Sequence, residues 1–112
     1  MSKNFLTNTF LYFKAFQNRD INSLEDMYAS NVTLLDWDNN ISGKQNVLDL
    51  NKELFKEIFT LNVISSKQVG NQTFNEITIK IDINKYTTVL NILDVITFND
   101  QFRIENITAY KR

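Results

Sequence analysis

Three side chains stand out as candidates for chemistry in this sequence: two aspartates and a tyrosine. Asp94 alternates with Leu90, Ile92, Ile96 and Phe98, which puts all five on one face of a strand. A carboxylate on an apolar face must be paired, hydrogen-bonded or protonated, because burying it ionised and alone is very costly. A bond to a backbone group, or a place at a pocket rim, would meet that demand without any further role. Asp36 follows Leu34 and Leu35 and precedes Trp37; by itself it reads as an ordinary strand-end or turn acid. Tyr12, near Phe13 and Phe16, reads by itself as a core aromatic with a satisfied hydroxyl.

What the chain lacks narrows the chemistry further. It has no cysteine, so disulfides, zinc–cysteine sites and thiol nucleophiles are excluded. It has no histidine, so no imidazole base or imidazole metal ligand exists. Carboxyls and hydroxyls remain, and neither a metal nor a cofactor is expected. Net charge is −1, from 12 basic and 13 acidic residues spread evenly. With no stripe of Lys and Arg to neutralise phosphates, nucleic acid is not an expected partner. The apolar stretch from Phe5 to Phe16 is interrupted by Thr7, Asn8, Thr9 and Lys14. It therefore reads neither as a signal peptide nor as a membrane span, and a cytoplasmic protein without membrane contact is expected.

The elements that must position these residues follow from periodicity. The 112 residues fit a single domain, 1–112. Residues 4–18 carry Leu6, Phe10 and Phe13 at helical spacing, with Phe5, Tyr12 and Phe16 in a neighbouring row. A second, shorter helix is expected from Asn22 to Tyr28, capped by Asn22 or Ser23. Val32 to Trp37 reads as a short strand ending in the turn Asp38-Asn39-Asn40. Ser42 and Gln45 have capping-box spacing before a third helix carrying Val47, Leu48, Leu50, Leu54, Phe55 and Ile58.

From Leu61 the apolar period becomes two. Thr73 to Asn84 alternates Ile77, Ile79, Ile81 and Ile83 with polar residues, so one face of that strand is wet. Thr88 to Phe98 is apolar on both faces, with Val89, Leu93 and Val95 opposite the Asp94 face. Helices cover only one face, so the outer face is expected to meet a second copy in a homodimer. Phe102 to Tyr110 returns as the last strand after the turn Asn99-Asp100-Gln101. Helices followed by strands give an α+β layer architecture, a curved antiparallel sheet folded as a cone over the N-terminal helices.

Several of these segments together resemble a known superfamily. The stretch from Tyr12 to Ile21, with Leu24, Tyr28 and Val32-Thr33, is similar to the opening of nuclear transport factor 2-like (NTF2-like) proteins. That cystatin-like, cone-shaped group includes the SnoaL-like cyclases and the ketosteroid isomerases. Residues 42–47 look like its glycine-led third helix, and Leu93 to Phe98 with Arg103-Ile104 like its penultimate strand and last hairpin. The resemblance implies that Tyr12, Asp36 and Asp94 occupy the places of the isomerases' tyrosine, general-base aspartate and protonated aspartate. Asp36 would carry a proton beside a carbonyl while Tyr12 and neutral Asp94 hydrogen-bond the enolate oxygen. Trp37 stands where those enzymes tend to have proline, and Gln101-Phe102 replaces the usual hairpin glycine.

The implied ligand is a small apolar carbonyl compound, lined by Trp37, Phe16, Phe55, Ile92 and Ile96. Two alternatives accompany this isomerase-like or cyclase-like reading. One is a binding protein that orients an apolar ligand without turning it over. The other is a dimeric structural module whose cone is plugged by Phe and Trp side chains.

Overall fold

The computed structural model describes residues 4–112. Along the chain lie α1 (Leu6–Gln17), α2 (Ile21–Met27), β1 (Tyr28–Leu35), β2 (Asn40–Ser42) and α3 (Lys44–Leu54). Four long strands follow: β3 (Ile58–Val69), β4 (Gln72–Ile83), β5 (Tyr86–Phe98) and β6 (Ile104–Lys111). All six strands form one curved sheet in the order β2-β1-β6-β5-β4-β3. The architecture is α+β, as the order of periodicities implies.

The sheet is mixed, however, not wholly antiparallel. β1 runs parallel to β6, while every other pairing is antiparallel. Apolar alternation records which face a residue takes and carries no information about strand direction. Direction follows from the hairpin meander β3 to β6, which brings β6 alongside β1 pointing the same way.

Helix α1 buries a different row from the one its first leucine suggests. Phe5, Thr9, Tyr12, Phe13 and Phe16 face inward, whereas Leu6 is 39% and Phe10 66% exposed. Residues 5, 9, 12 and 16 form an equally good helical row. Packing selects it: the Thr9 and Thr73 hydroxyls meet at 2.9 Å, and the Phe5 ring stacks on Phe98 at 4.8 Å.

Element ends shift for identifiable reasons. Asp20, not Asn22 or Ser23, caps α2, its carboxylate accepting from Ser23 N (3.1 Å) and Ser23 Oγ (2.7 Å). Tyr28 consequently opens β1 instead of closing α2. Ser42 ends β2, so Gly43, at φ 94°, becomes the N-cap of α3 without a side-chain cap. Ile58 belongs to β3 and is exposed, because α3 stops at Leu54. In the β5–β6 turn the Asn99 Oδ1 accepts from Gln101 N and Arg103 N. Phe102 takes the left-handed place there at φ 63°, its ring 5.0 Å from Phe5, and β6 starts only at Ile104.

The core is centred on Leu24, Tyr28, Val32, Ile96, Phe98 and Ile104, all enclosed between helices and sheet. On the outer face, Val95 is already buried between its register neighbours Phe74 and Thr108. Of the other outer-face residues, Leu93 is half-buried and Val89 is 50% exposed. Among the described residues no helix is long and apolar enough to cross a membrane.

Candidate functional site

The concave face of the sheet, α1 and α3 enclose a cavity of about 240 Å³. Its wall is mostly apolar, with Leu61, Ile77, Ile79, Leu90 and Ile92 rising from the sheet and Phe13 and Phe16 from α1. The alternative of a cone plugged by aromatic side chains is not what the structure shows, since this space remains open. Tyr12, Asp94 and Asn51 line the interior, and the β1–β2 turn adds Asp36, Trp37, Asp38 and Asn39. Tyr12, Asp36 and Asp94 therefore share one cavity. So do three of the five expected apolar contacts, Trp37, Phe16 and Ile92.

Phe55 and Ile96 do not line it. Phe55 caps the C-terminus of α3 and packs edge-on against Phe16 at 5.1 Å, one layer behind the wall. Ile96 is fully buried beneath the cavity, two residues beyond Asp94 on the same strand face. Phe55 lies at the Phe59–Ile81 end of the sheet and Ile96 at the Thr73 end, so the two miss the space from opposite sides.

Asp94 is 6% exposed, and its pKa is pushed up to about 7. Burial is the main cause, and the negative charge of Asp36 adds to it. Near neutral pH this carboxyl carries its proton about half the time, so it can donate a hydrogen bond as well as accept one.

Asp36 lives in a different setting. It is half-buried, and its Oδ1 accepts from Asp38 N (2.8 Å), Asn39 N (2.7 Å) and Asn39 Nδ2 (3.0 Å). Its backbone N–H closes the turn by donating to Asn39 O at 2.9 Å. Oδ2 accepts only from Asn39 Nδ2 at 3.1 Å, which leaves it the better placed oxygen to take a proton. Beside it the Lys111 ammonium stands 5.4 Å over the Trp37 ring at the mouth.

Tyr12 belongs to a buried chain. Its ring stands 6.2 Å from that of Tyr28, the two phenols act on each other electrostatically, and Tyr28 donates to Asn51 Oδ1 at 2.7 Å. Burial pushes both phenols above their ordinary range, so both stay protonated at neutral pH. With the Tyr28 proton given to Asn51, only the Tyr12 proton is left for the space between the two phenols. Turning the Asn51 amide over reverses the chain and frees the Tyr12 proton for the cavity.

Tyr28 and Asn51 are functional candidates that sequence patterning alone does not single out, although Asn51 carries a readable signal. It lies in the apolar row of α3 with Val47, Leu48 and Leu54, a polar residue on a buried face just as Asp94 is. Thr73 and Asn75, in phase with Ile77 and Ile79, give the same signal on β4.

No family model matches this sequence, and no curated protein matches it. Solved structures do. An LEH-like epoxide hydrolase of M. tuberculosis superposes with a TM-score of 0.79 at 17% identity, over 88% of this chain and 75% of that one. An NTF2-like protein of unknown function from Cytophaga hutchinsonii gives the same TM-score at 18% identity, over 97% of this chain and 100% of that one.

Proposed function

The fold is NTF2-like, and on that premise we propose that the cavity takes a small, largely apolar carbonyl compound and moves a proton beside its carbonyl. One observation carries this reading: an enclosed carboxyl with a raised pKa, Asp94, faces the same apolar space as the half-buried Asp36. Two carboxyls in contrasting environments are what acid–base work at neutral pH requires.

In this reading Asp36 Oδ2 removes the proton next to the carbonyl, and the C–H electrons flow into the C=O bond. The oxygen gains negative charge and is stabilised by a hydrogen bond from neutral Asp94. Tyr12 lends a second such bond when the Asn51–Tyr28 chain runs toward it. Asp36 then returns the proton at another carbon of the enolate, restoring both side chains. A volume of about 240 Å³ favours a short-chain or monocyclic compound over a multi-ring one.

The test follows a monocyclic β,γ-unsaturated ketone in D2O by NMR. Deuterium should enter beside the carbonyl, the double bond should migrate, and Asp36→Asn should slow both by about 10²–10⁴-fold. In parallel, a small phenol serves as an enolate mimic, and Asp94→Asn should weaken its binding. Phenol binding without catalysed exchange would make the protein a binder. No binding would end both readings.

The likeness to an LEH-like epoxide hydrolase supports a second reading with the same pair. Asp94 would give its proton to an epoxide oxygen as the C–O bond breaks, while Asp36 takes the proton of the attacking water. Release of a diol from a small apolar epoxide selects this chemistry over isomerisation.

A further inference from the structure

Among the described residues, one buried side-chain acceptor lacks a donor. Asn75 of β4 is fully buried, and its Nδ2 donates to Thr73 O (3.3 Å), Thr73 Oγ1 (3.1 Å) and Asp94 O (3.0 Å). Two of those acceptors are backbone carbonyls, so the amide cannot turn over without setting its oxygen against theirs. Oδ1 is therefore held in place, and among the described residues it has no hydrogen-bond partner. An unpaired buried acceptor is rare in native proteins and needs an explanation.

The register names the neighbours. Asn75 lies across from Ser66 on β3 and from Asp94 on β5. Ser66 is exposed, and water can satisfy its hydroxyl. Asp94 is enclosed, and the Cβ atoms of such cross-strand partners stand about 5 Å apart. A carboxyl becomes a donor only when it carries a proton.

We propose that Asn75 is a positioning residue for Asp94: its pinned amide oxygen accepts the carboxyl proton, directly or through one enclosed water, and holds Asp94 in its donor form. A fixed acceptor beside a carboxyl stabilises the neutral form and offers nothing to the anion. The other groups acting on Asp94 are Tyr12 from α1, Tyr28 from β1 and Asp36 from the β1–β2 turn. β6 contributes only Ala109 in register. None of these is a cation that would stabilise the ionised form of Asp94. Asn75 thus works from beneath the cavity, without touching the ligand. This inference rests on the reading of Asp94 as a neutral donor.

The experiment is a pH titration of the full chain by NMR, following the Asp94 carboxyl carbon and the Asn75 side-chain amide. The Asn75 amide should move with the Asp94 midpoint and lie flat in Asp94→Asn. Asn75→Leu should lower the midpoint by about one pH unit, because an acceptor for the neutral form is lost; Ser66→Ala should leave it in place. An Asn75 amide silent through the Asp94 transition overturns the proposal. So does a midpoint that Asn75→Leu leaves unchanged or raises. Should Asn75→Leu fail to fold, the native chain's amide decides alone. An Asp94 that titrates in the ordinary carboxylate range overturns the acid–base reading itself, whereas a raised midpoint indifferent to Asn75 overturns only this one.

Discussion

Asp36 and Asp94 line the same cavity from opposite kinds of ground. Asp36 sits in a four-residue turn, and most of its hydrogen bonds come from the turn itself, within three residues along the chain. Asp94 sits mid-strand, and β4, β6 and α1 close around it. The first carboxylate is hydrogen-bonded by local donors that any similar turn would supply. The second is destabilised by a tertiary enclosure that no local segment could create. One side chain type thus meets local donors at the mouth and a tertiary enclosure on the floor, and only the enclosure pushes a carboxyl up to about 7.

The largest expected effect tests the floor. The pKa of Asp94 is raised, so the folded chain binds its proton more tightly than the unfolded chain does. Stability should then fall as pH rises from about 4 to about 7, with the full penalty present above that window. That penalty is on the order of 4 kcal/mol at pH 8. Asp94→Asn should remove it, leaving the variant markedly more stable than the native chain at pH 8 and nearly equal at pH 4. Urea denaturation at the two pH values measures this, and a difference independent of pH would erase the contrast between the two acids.

Next in size is the buried chain that ends at Asn51. Tyr28→Phe removes the proton given to Asn51 Oδ1 and the oxygen that acts on Tyr12. A loss of about 2 kcal/mol is expected, read from the same urea curves. A neutral outcome would mean that water replaces the phenol, and that the floor is less dry than its burial indicates.

The mouth should respond more weakly and in a residue-specific way. Asp36→Ala strips the acceptor from the Asp38 and Asn39 backbone N–H groups and should cost about 1 kcal/mol. Asp36→Asn keeps an acceptor there and should cost less, so its effect on turnover can be read without a collapsed turn. Equal losses for both variants would show that charge, not turn geometry, holds the mouth. Smallest of all, Lys111→Ala should shift Tm by an amount equivalent to about 0.5 kcal/mol, because its partner Trp37 is exposed.

Much of this is legible in the order of the residues. Asp94 declares itself by standing in phase with Leu90, Ile92, Ile96 and Phe98, and the fold buries it as that phase demands. The long strands and the change of period near Leu61 are equally plain. Misreadings gather where two local solutions are equivalent. Helix α1 offers two apolar rows, and only the Thr9–Thr73 and Phe5–Phe98 contacts choose between them. Ser42 and Gly43 both suit the start of α3, until pairing with β1 draws Ser42 into a strand.

Sequence alone therefore determined the inner faces of the long strands β4 and β5: a period of two places alternate side chains inward, and burial free energy enforces that placement. It also narrowed the available chemistry, because a chain without histidine or cysteine leaves carboxyls, phenols and lysine amines to handle protons. Only the tertiary structure decided which inward residues meet. Tyr12 found Tyr28 and Asn51, Asp94 found Asn75, and Phe55 and Ile96 fell outside the open space. Those meetings depend on strand order, on the parallel β1–β6 pairing and on helix rotation. All three are set by contacts between residues distant in sequence, and local periodicity does not record them.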